Sequence, residues 1–231
     1  MLNKSYNLFN IALNKQNKIC IFNFNFNNKT INIRNLDQYI IDKYFVLTLE
    51  KYAKNIIDVS SDIIKKAYQI ANKYHAEINQ KRKYTTENYI THLLEVFAIL
   101  YIVGVNEDVL SSALLHDVIE DTRVDKNTLS VDFNLNVINN IIMLTNQFEN
   151  KNISRKIRKK LEAGRLLSIN ENAKLIKMAD IISNVFSLEK YDLNFSKIYK
   201  IEKQLFVNNI TFTNNLNYKL LHELAFYLVN N

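Results

Sequence analysis

Apolar positions along this chain keep two different periods. In the first fifty residues, Ile19–Asn25 and Thr30–Arg34 alternate apolar and polar side chains on either side of Asn27-Asn28-Lys29. A period of two across a polar turn predicts a β-hairpin, read as a small cap on the main domain. From about residue 60 the spacing becomes helical. Ile63, Ile64, Ala67, Ile70, Ala71 and Tyr74 keep one face apolar behind Ser60 and Ser61, which suit a helix start. The polar run Asn79–Lys83 breaks the pattern and reads as a loop. Thr91–Val103 is a strongly apolar helix that Gly104 should end, and Asn106, followed by Glu107 and Asp108, should open the next. Further helices are predicted over Val137–Thr145, Ser154–Leu167, Glu171–Lys190, Ser196–Asn208 and Leu216–Val229. The pattern therefore divides into an extension with a hairpin, residues 1–54, and an all-α domain, residues 55–231.

One segment departs from the binary pattern. Ser111–Thr122 (Ser-Ser-Ala-Leu-Leu-His-Asp-Val-Ile-Glu-Asp-Thr) carries four ionisable groups at the end of an apolar helical run. In a continuous helix, His116 and Glu120 would share one stripe, and Asp117 and Asp121 the next. Leu114, Leu115, Val118 and Ile119 fill the other faces and predict burial. Three carboxylates and an imidazole near a core need compensation, which a divalent cation commonly supplies. Two more polar residues sit in apolar surroundings. His92 lies among Ile90, Leu93 and Val96, where a hydrogen-bonded core histidine is the plainer reading. Asp180 lies in Lys-Leu-Ile-Lys-Met-Ala-Asp-Ile-Ile-Ser-Asn and is equally well explained by a buried ion pair with Lys177; Asn184 follows four residues later on the same face.

Composition narrows the class without deciding function. The 231 residues are 48% hydrophobic and 23% charged, which suits a globular domain. No proline and two glycines leave helices uninterrupted, and the abundance of Asn, Lys and Ile reads as an effect of AT-rich coding DNA. The single cysteine, Cys20, excludes an intramolecular disulfide framework and a cysteine metal cluster. The N-terminus lacks the pattern of a secretory signal, and no apolar stretch approaches the ~20 residues that cross a bilayer. A cytoplasmic protein without a membrane partner is expected. A net charge of +7 suits anionic partners. Aromatic residues are not interleaved with the basic run in a stacking pattern, so nucleic acid is not favoured.

Taken together, a histidine, an adjacent His-Asp pair and a distant aspartate resemble the HD-type metal-dependent phosphohydrolases, an all-α superfamily. Ala-Leu-Leu-His-Asp-Val-Ile-Glu-Asp-Thr, followed by Ala-Lys-Leu-Ile-Lys-Met-Ala-Asp-Ile-Ile-Ser-Asn, resembles the hydrolase domain of the RelA/SpoT family more closely. Gln80–Lys83 with Tyr89-Ile90-Thr91-His92 is similar to that family's Arg-Lys loop and Tyr-Ile-x-His element. The resemblance spans about residues 60–210. It implies an HD-domain helical bundle that removes the 3′-pyrophosphate of guanosine alarmones, ppGpp and pppGpp. With no nucleotidyl-transferase domain following, a small stand-alone hydrolase is expected.

Carried across, the resemblance makes His92, His116, Asp117 and Asp180 the metal ligands, with Mn²⁺ the expected ion, although these ligand types also suit other transition metals. It makes Glu120 and Asp121 the acidic pair that orients and deprotonates water. It makes Arg82, Lys83, Arg155, Lys159 and Asn184 substrate-binding, with Arg82 stacked on the base; a loop-length difference could shift that role to Lys81. Lys200 is placed on the far rim, and His75 and His222 match no ligand position. Ile181 and Phe186 stand where the family carries basic residues, which directs attention to the nucleoside pocket. The alternatives are another phosphorylated nucleotide (an adenine alarmone or NADPH) or a non-catalytic, antitoxin-like binding module; homo-oligomerisation is left open.

Overall fold

A computed structural model describes residues 53–212 and 215–231 with their side chains, and strand backbone at residues 11–14, 19–26 and 29–33. The chain divides into two units, residues 1–47 and 48–231. In the first, β1 (Ile11–Asn14), β2 (Ile19–Phe26) and β3 (Lys29–Ile33) form an antiparallel sheet in that order, with Phe22 opposite both Ile11 and Ile33. The capping role expected of this segment falls on residues outside the described set.

The described residues of the second unit are helical and joined by loops. Residues 53–59 form α1, followed by α2 (Asp62–Glu77), α3 (Ile90–Val103), α4 (Glu107–Leu115), α5 (Val118–Asp121) and α6 (Lys126–Ser130). Then come α7 (Leu135–Leu144), α8 (Arg155–Leu166), α9 (Glu171–Tyr191), α10 (Leu193–Val207) and α11 (Leu216–Asn230). An all-α fold follows from the helical period. Among the described residues, no helix is long and apolar enough to cross a membrane.

Three helices make the centre. Thirteen of the fourteen residues of α3 are buried, only Tyr101 being exposed, so this helix is apolar on every side and enclosed by others. Its large side chains, Leu93, Leu94, Phe97 and Leu100, are each fully buried, contributing roughly 1.5–3 kcal/mol apiece. Gly104, at φ 83°, ends it in the left-handed conformation that glycine adopts without strain. Both α4 and α9 pack against α3 and against each other, and α7, α10 and α11 also pack against α9. The 21-residue α9 buries Leu175, Ile176, Met178, Ile182 and Val185.

Asparagine has a structural use here beyond coding bias. Asn106, Asn134, Asn170 and Asn215 begin α4, α7, α9 and α11, and each side chain accepts from a backbone N–H of the first turn.

The helix expected to run through Ser111–Thr122 does not. It stops at Leu115, turns at His116 and Asp117, and resumes as the single turn α5. His116 bends its ring back so that Nδ1 meets the carbonyl of Ala113 at 2.8 Å, and Asp117 sits near φ −102°, ψ −3°. Across the turn the Asp121 N–H still bonds the Asp117 carbonyl at 2.9 Å, so this pair keeps its helical spacing.

Candidate active site

The three central helices bring four side chains to one point. His92 comes from the first turn of α3, His116 and Asp117 from the break after α4, and Asp180 from the middle of α9. Their atoms form a ring. His92 Nε2 lies 3.2 Å from Asp180 Oδ1, which lies 3.9 Å from His116 Nε2. His116 Nε2 lies 3.2 Å from Asp117 Oδ2, which closes the ring 3.9 Å from His92 Nε2. Donor atoms about 2.1 Å from one ion stand about 3.0–3.4 Å apart, so this spacing suits a single cation. Three of the four, His92, His116 and Asp117, form a metal-capable group on distance alone.

Two observations test whether these residues fit a cation. First, His116 Nδ1 faces the Ala113 carbonyl, which can only accept, so Nδ1 keeps its proton in either charge state. Nε2, which faces Asp117 and Asp180, is then the nitrogen left to meet an ion. Second, charge is unbalanced. Burial alone would depress the His116 imidazolium, but Asp117 and Asp180 outweigh it and push the pKa up to about 10. Two carboxylates here thus draw positive charge onto the imidazole. The donor set fits a divalent ion.

Each of these side chains has a supporting partner. Asp180 turns Oδ2 to Lys177 Nζ at 2.7 Å and receives the Asn184 amide on Oδ1 at 2.5 Å. The expected ion pair with Lys177 is thus real, and it leaves Oδ1 facing the histidines. Tyr89 donates its hydroxyl to Asp117 Oδ2 at 2.5 Å. His92 Nδ1 lies 3.0 Å from Ser183 Oγ, which donates to Glu95 Oε2 at 2.5 Å.

Glu120 and Asp121 stand on α5, one turn beyond the ligands and open to solvent. Glu120 accepts from the Asn146 backbone N–H at 2.8 Å, and Asp121 from the Gln80 amide at 2.8 Å. Although both keep solvent-facing surface, the protein atoms packed around the carboxyl groups raise both pKa values, with Asp117's charge adding to the effect. Gln80 is aimed by the end of α2. Asn79, the one non-glycine residue with positive φ (49°) among the described residues, occupies the left-handed position of a Schellman cap. Its N–H bonds Ala76 O and that of Gln80 bonds His75 O, folding the Gln80 side chain over the His75 ring, 2.6 Å from Nδ1.

The basic residues divide. Lys159 lies beside Lys177 and Lys203; burial and mutual repulsion lower the pKa of Lys159 and bring that of Lys203 down to about 7. Arg155 instead forms a bidentate pair with Glu202 (2.8 and 2.9 Å) and covers one side of the Phe195 ring. Lys83 also lies over Phe195, 4.7 Å from its centre, and over Tyr84 at 4.9 Å. Lys200 is paired with Glu189. Arg82, expected at the base, has its side chain only 9% exposed and pairs with Glu95 at 3.0 Å. Ile181, which stands where the family carries a basic residue, is fully buried in the core.

Sequence reasoning passed over Glu95 and Ser183, and gave His75 no role. Glu95 had a signal, an acid inside an otherwise apolar helix that is buried on every side. Ser183 and His75 had none, because a serine or histidine in a helix is ordinary until its neighbours are known.

An HD domain family model matches residues 67–192. A relative from Mycoplasma pneumoniae is 25% identical over 160 residues, which are 65% of this chain but 21% of that protein, so this chain spans about a fifth of its length. A guanosine-3′,5′-bis(diphosphate) 3′-pyrophosphohydrolase of Xenopus tropicalis is 32% identical over 136 residues, covering 57% of this chain and 74% of that one. Among solved structures, one described as a metazoan orthologue of SpoT that hydrolyses ppGpp superposes with a TM-score of 0.63 at 27% identity. That superposition covers 73% of this chain and 96% of the other.

Proposed function

The chain belongs to the HD domain family, and from that premise we propose that it hydrolyses the 3′-pyrophosphate bond of guanosine alarmones, releasing pyrophosphate from ppGpp or pppGpp. One juxtaposition supports this reading: four side chains spaced to suit one cation lie beside two solvent-facing carboxyl groups and a cluster of lysines. The substrate class comes from the relatives, whose names and descriptions assign them ppGpp.

His92, His116, Asp117 and Asp180 would hold the ion, Mn²⁺ in this reading. When bound, such an ion lowers the pKa of water and offsets charge on the phosphoryl group. The protein's own groups do the rest. Glu120 or Asp121 accepts the proton of the attacking water, and a raised carboxyl pKa brings the base closer to operating pH, where proton transfer is more effective. Lys159, Lys177 and Lys203 receive the phosphates; an incoming anion relieves the repulsion that lowers the pKa of Lys159 and Lys203. Lys177 also keeps its bond to Asp180, joining the phosphate side of the site to the ligand side. Lys83, Phe195 and Asn184 supply a rim against which a nucleoside can rest, with Arg155 held beside Phe195.

The test is direct. Purified protein with Mn²⁺ should release pyrophosphate from ppGpp, and Asp117→Ala should reduce release to the uncatalysed background. Mn²⁺ binding with no turnover of ppGpp or pppGpp would sink the assignment.

A further inference from the structure

A buried polar chain runs away from His92 into the core. Ser183 Oγ stands between His92 Nδ1 at 3.0 Å and Glu95 Oε2 at 2.5 Å, and Glu95 in turn faces the Arg82 guanidinium at 3.0 and 3.3 Å. His92, Glu95 and Ser183 are each at most 3% exposed. A hydroxyl has one proton to give. With an ionised Glu95 accepting it, Ser183 can only accept from His92. His92 must then carry its proton on Nδ1, which leaves the Nε2 lone pair facing Asp117 and Asp180.

We propose that Ser183 and Glu95 are positioning residues for the cation site, fixing the tautomer and ring orientation of His92, and that Arg82 is the counter-ion of this relay. The proposal rests on the reading of His92 as a metal ligand. It extends the common arrangement in which a metal-bound histidine donates its other N–H to a carboxylate, here with a serine hydroxyl interposed. It also explains why a charged pair lies beside the core. Burial raises the Glu95 carboxyl to about 7 against the opposing pull of Arg82 and Ser183, so its ionisation does not serve stability. The hydrogen bonds from Ser183 and Arg82 favour the carboxylate form and hold it in line behind His92.

The relay is tested by metal affinity, measured without substrate. Mn²⁺ is titrated into the full-length metal-free protein, and free ion is followed by electron paramagnetic resonance. Ser183→Ala should weaken Mn²⁺ binding by about 10- to 100-fold, and Glu95→Gln should weaken it in the same direction. Ser183→Thr, which keeps the hydroxyl, should stay nearest the wild type. Thermal unfolding of the metal-free variants separates affinity from folding, because a purely structural serine would move Tm and leave the Kd alone. Wild-type Mn²⁺ affinity in folded Ser183→Ala would overturn the relay while leaving the alarmone assignment standing. Weakened affinity in the variants, alongside a wild type that turns over no alarmone, would support the relay and remove the substrate. A wild type that binds no Mn²⁺ would remove both.

Discussion

The inner ring of candidate ligands and the outer basic residues obey different rules. His92, His116 and Asp180 are nearly inaccessible, and Asp117 is only slightly less so. Three helices that touch one another fix them, so their positions follow from packing. The outer residues have long side chains and nearby acids. Arg155 closes on Glu202, Lys200 on Glu189, and Arg82 on Glu95, while Lys159 remains in a cationic cluster. Burial therefore sets the inner group apart, whereas several of the outer cations are paired with acids. A buried polar residue needs a reason, whereas an exposed basic one needs none.

Substitutions can break or sharpen this contrast. The largest effect should come where the two rings meet. Asp121→Asn, which removes a candidate base without changing its shape, should lower kcat by about 10²- to 10⁴-fold and leave Mn²⁺ affinity near the wild type. Steady-state kinetics beside a metal titration would check this, and an equal loss of metal affinity would move Asp121 into the inner set. Next comes Arg82→Ala. It leaves Glu95 buried without its counter-ion, which should cost about 3–5 kcal/mol and lower Tm by roughly 6–20 °C in a chain of this size. A rise in KM at unchanged Tm would return Arg82 to the base-stacking role.

A smaller effect should appear in the pH dependence of stability. Burial raises Glu95 from its ordinary 4.5 to about 7. Between those values the folded chain holds more of this proton than the unfolded chain, so stability falls as pH rises through the window and levels off above about 7. The slope should amount to about 1–3 kcal/mol across the window, and it should flatten in Glu95→Gln when urea midpoints of metal-free protein are compared from pH 4.5 to 8. A slope unchanged in Glu95→Gln would show that Glu95 does not titrate there. The smallest effect belongs to Arg155→Ala. Its partner is protected but its own side chain is half exposed, so stability should change by no more than about 1 kcal/mol, read by the same urea midpoints.

Much of the helical domain was legible from periodicity, because helices of this length must bury a stripe and the stripe repeats. α3 was read almost to the residue, since an unbroken apolar run followed by glycine leaves little choice. The short α6 has no counterpart in the pattern, as one turn is too short to show a period. The break at His116 was equally hidden. It depends on a ring that bonds back to Ala113, and nothing in Leu-Leu-His-Asp-Val marks it.

By itself, the sequence determined an all-α domain and a set of polar groups that an apolar core could not hold without a partner. Those conclusions rest on period and on the unfavourable burial of charge, both of which are local properties. Only the tertiary structure decided which atoms meet. It turned Nε2 of His116 inward, divided Asp180 between Lys177 and the histidines, and took Arg82 from the rim to stand opposite Glu95. Apart from Lys177–Asp180, these pairings join residues at least 13 positions apart in the chain, and their energies depend on distance and burial, which no linear pattern records.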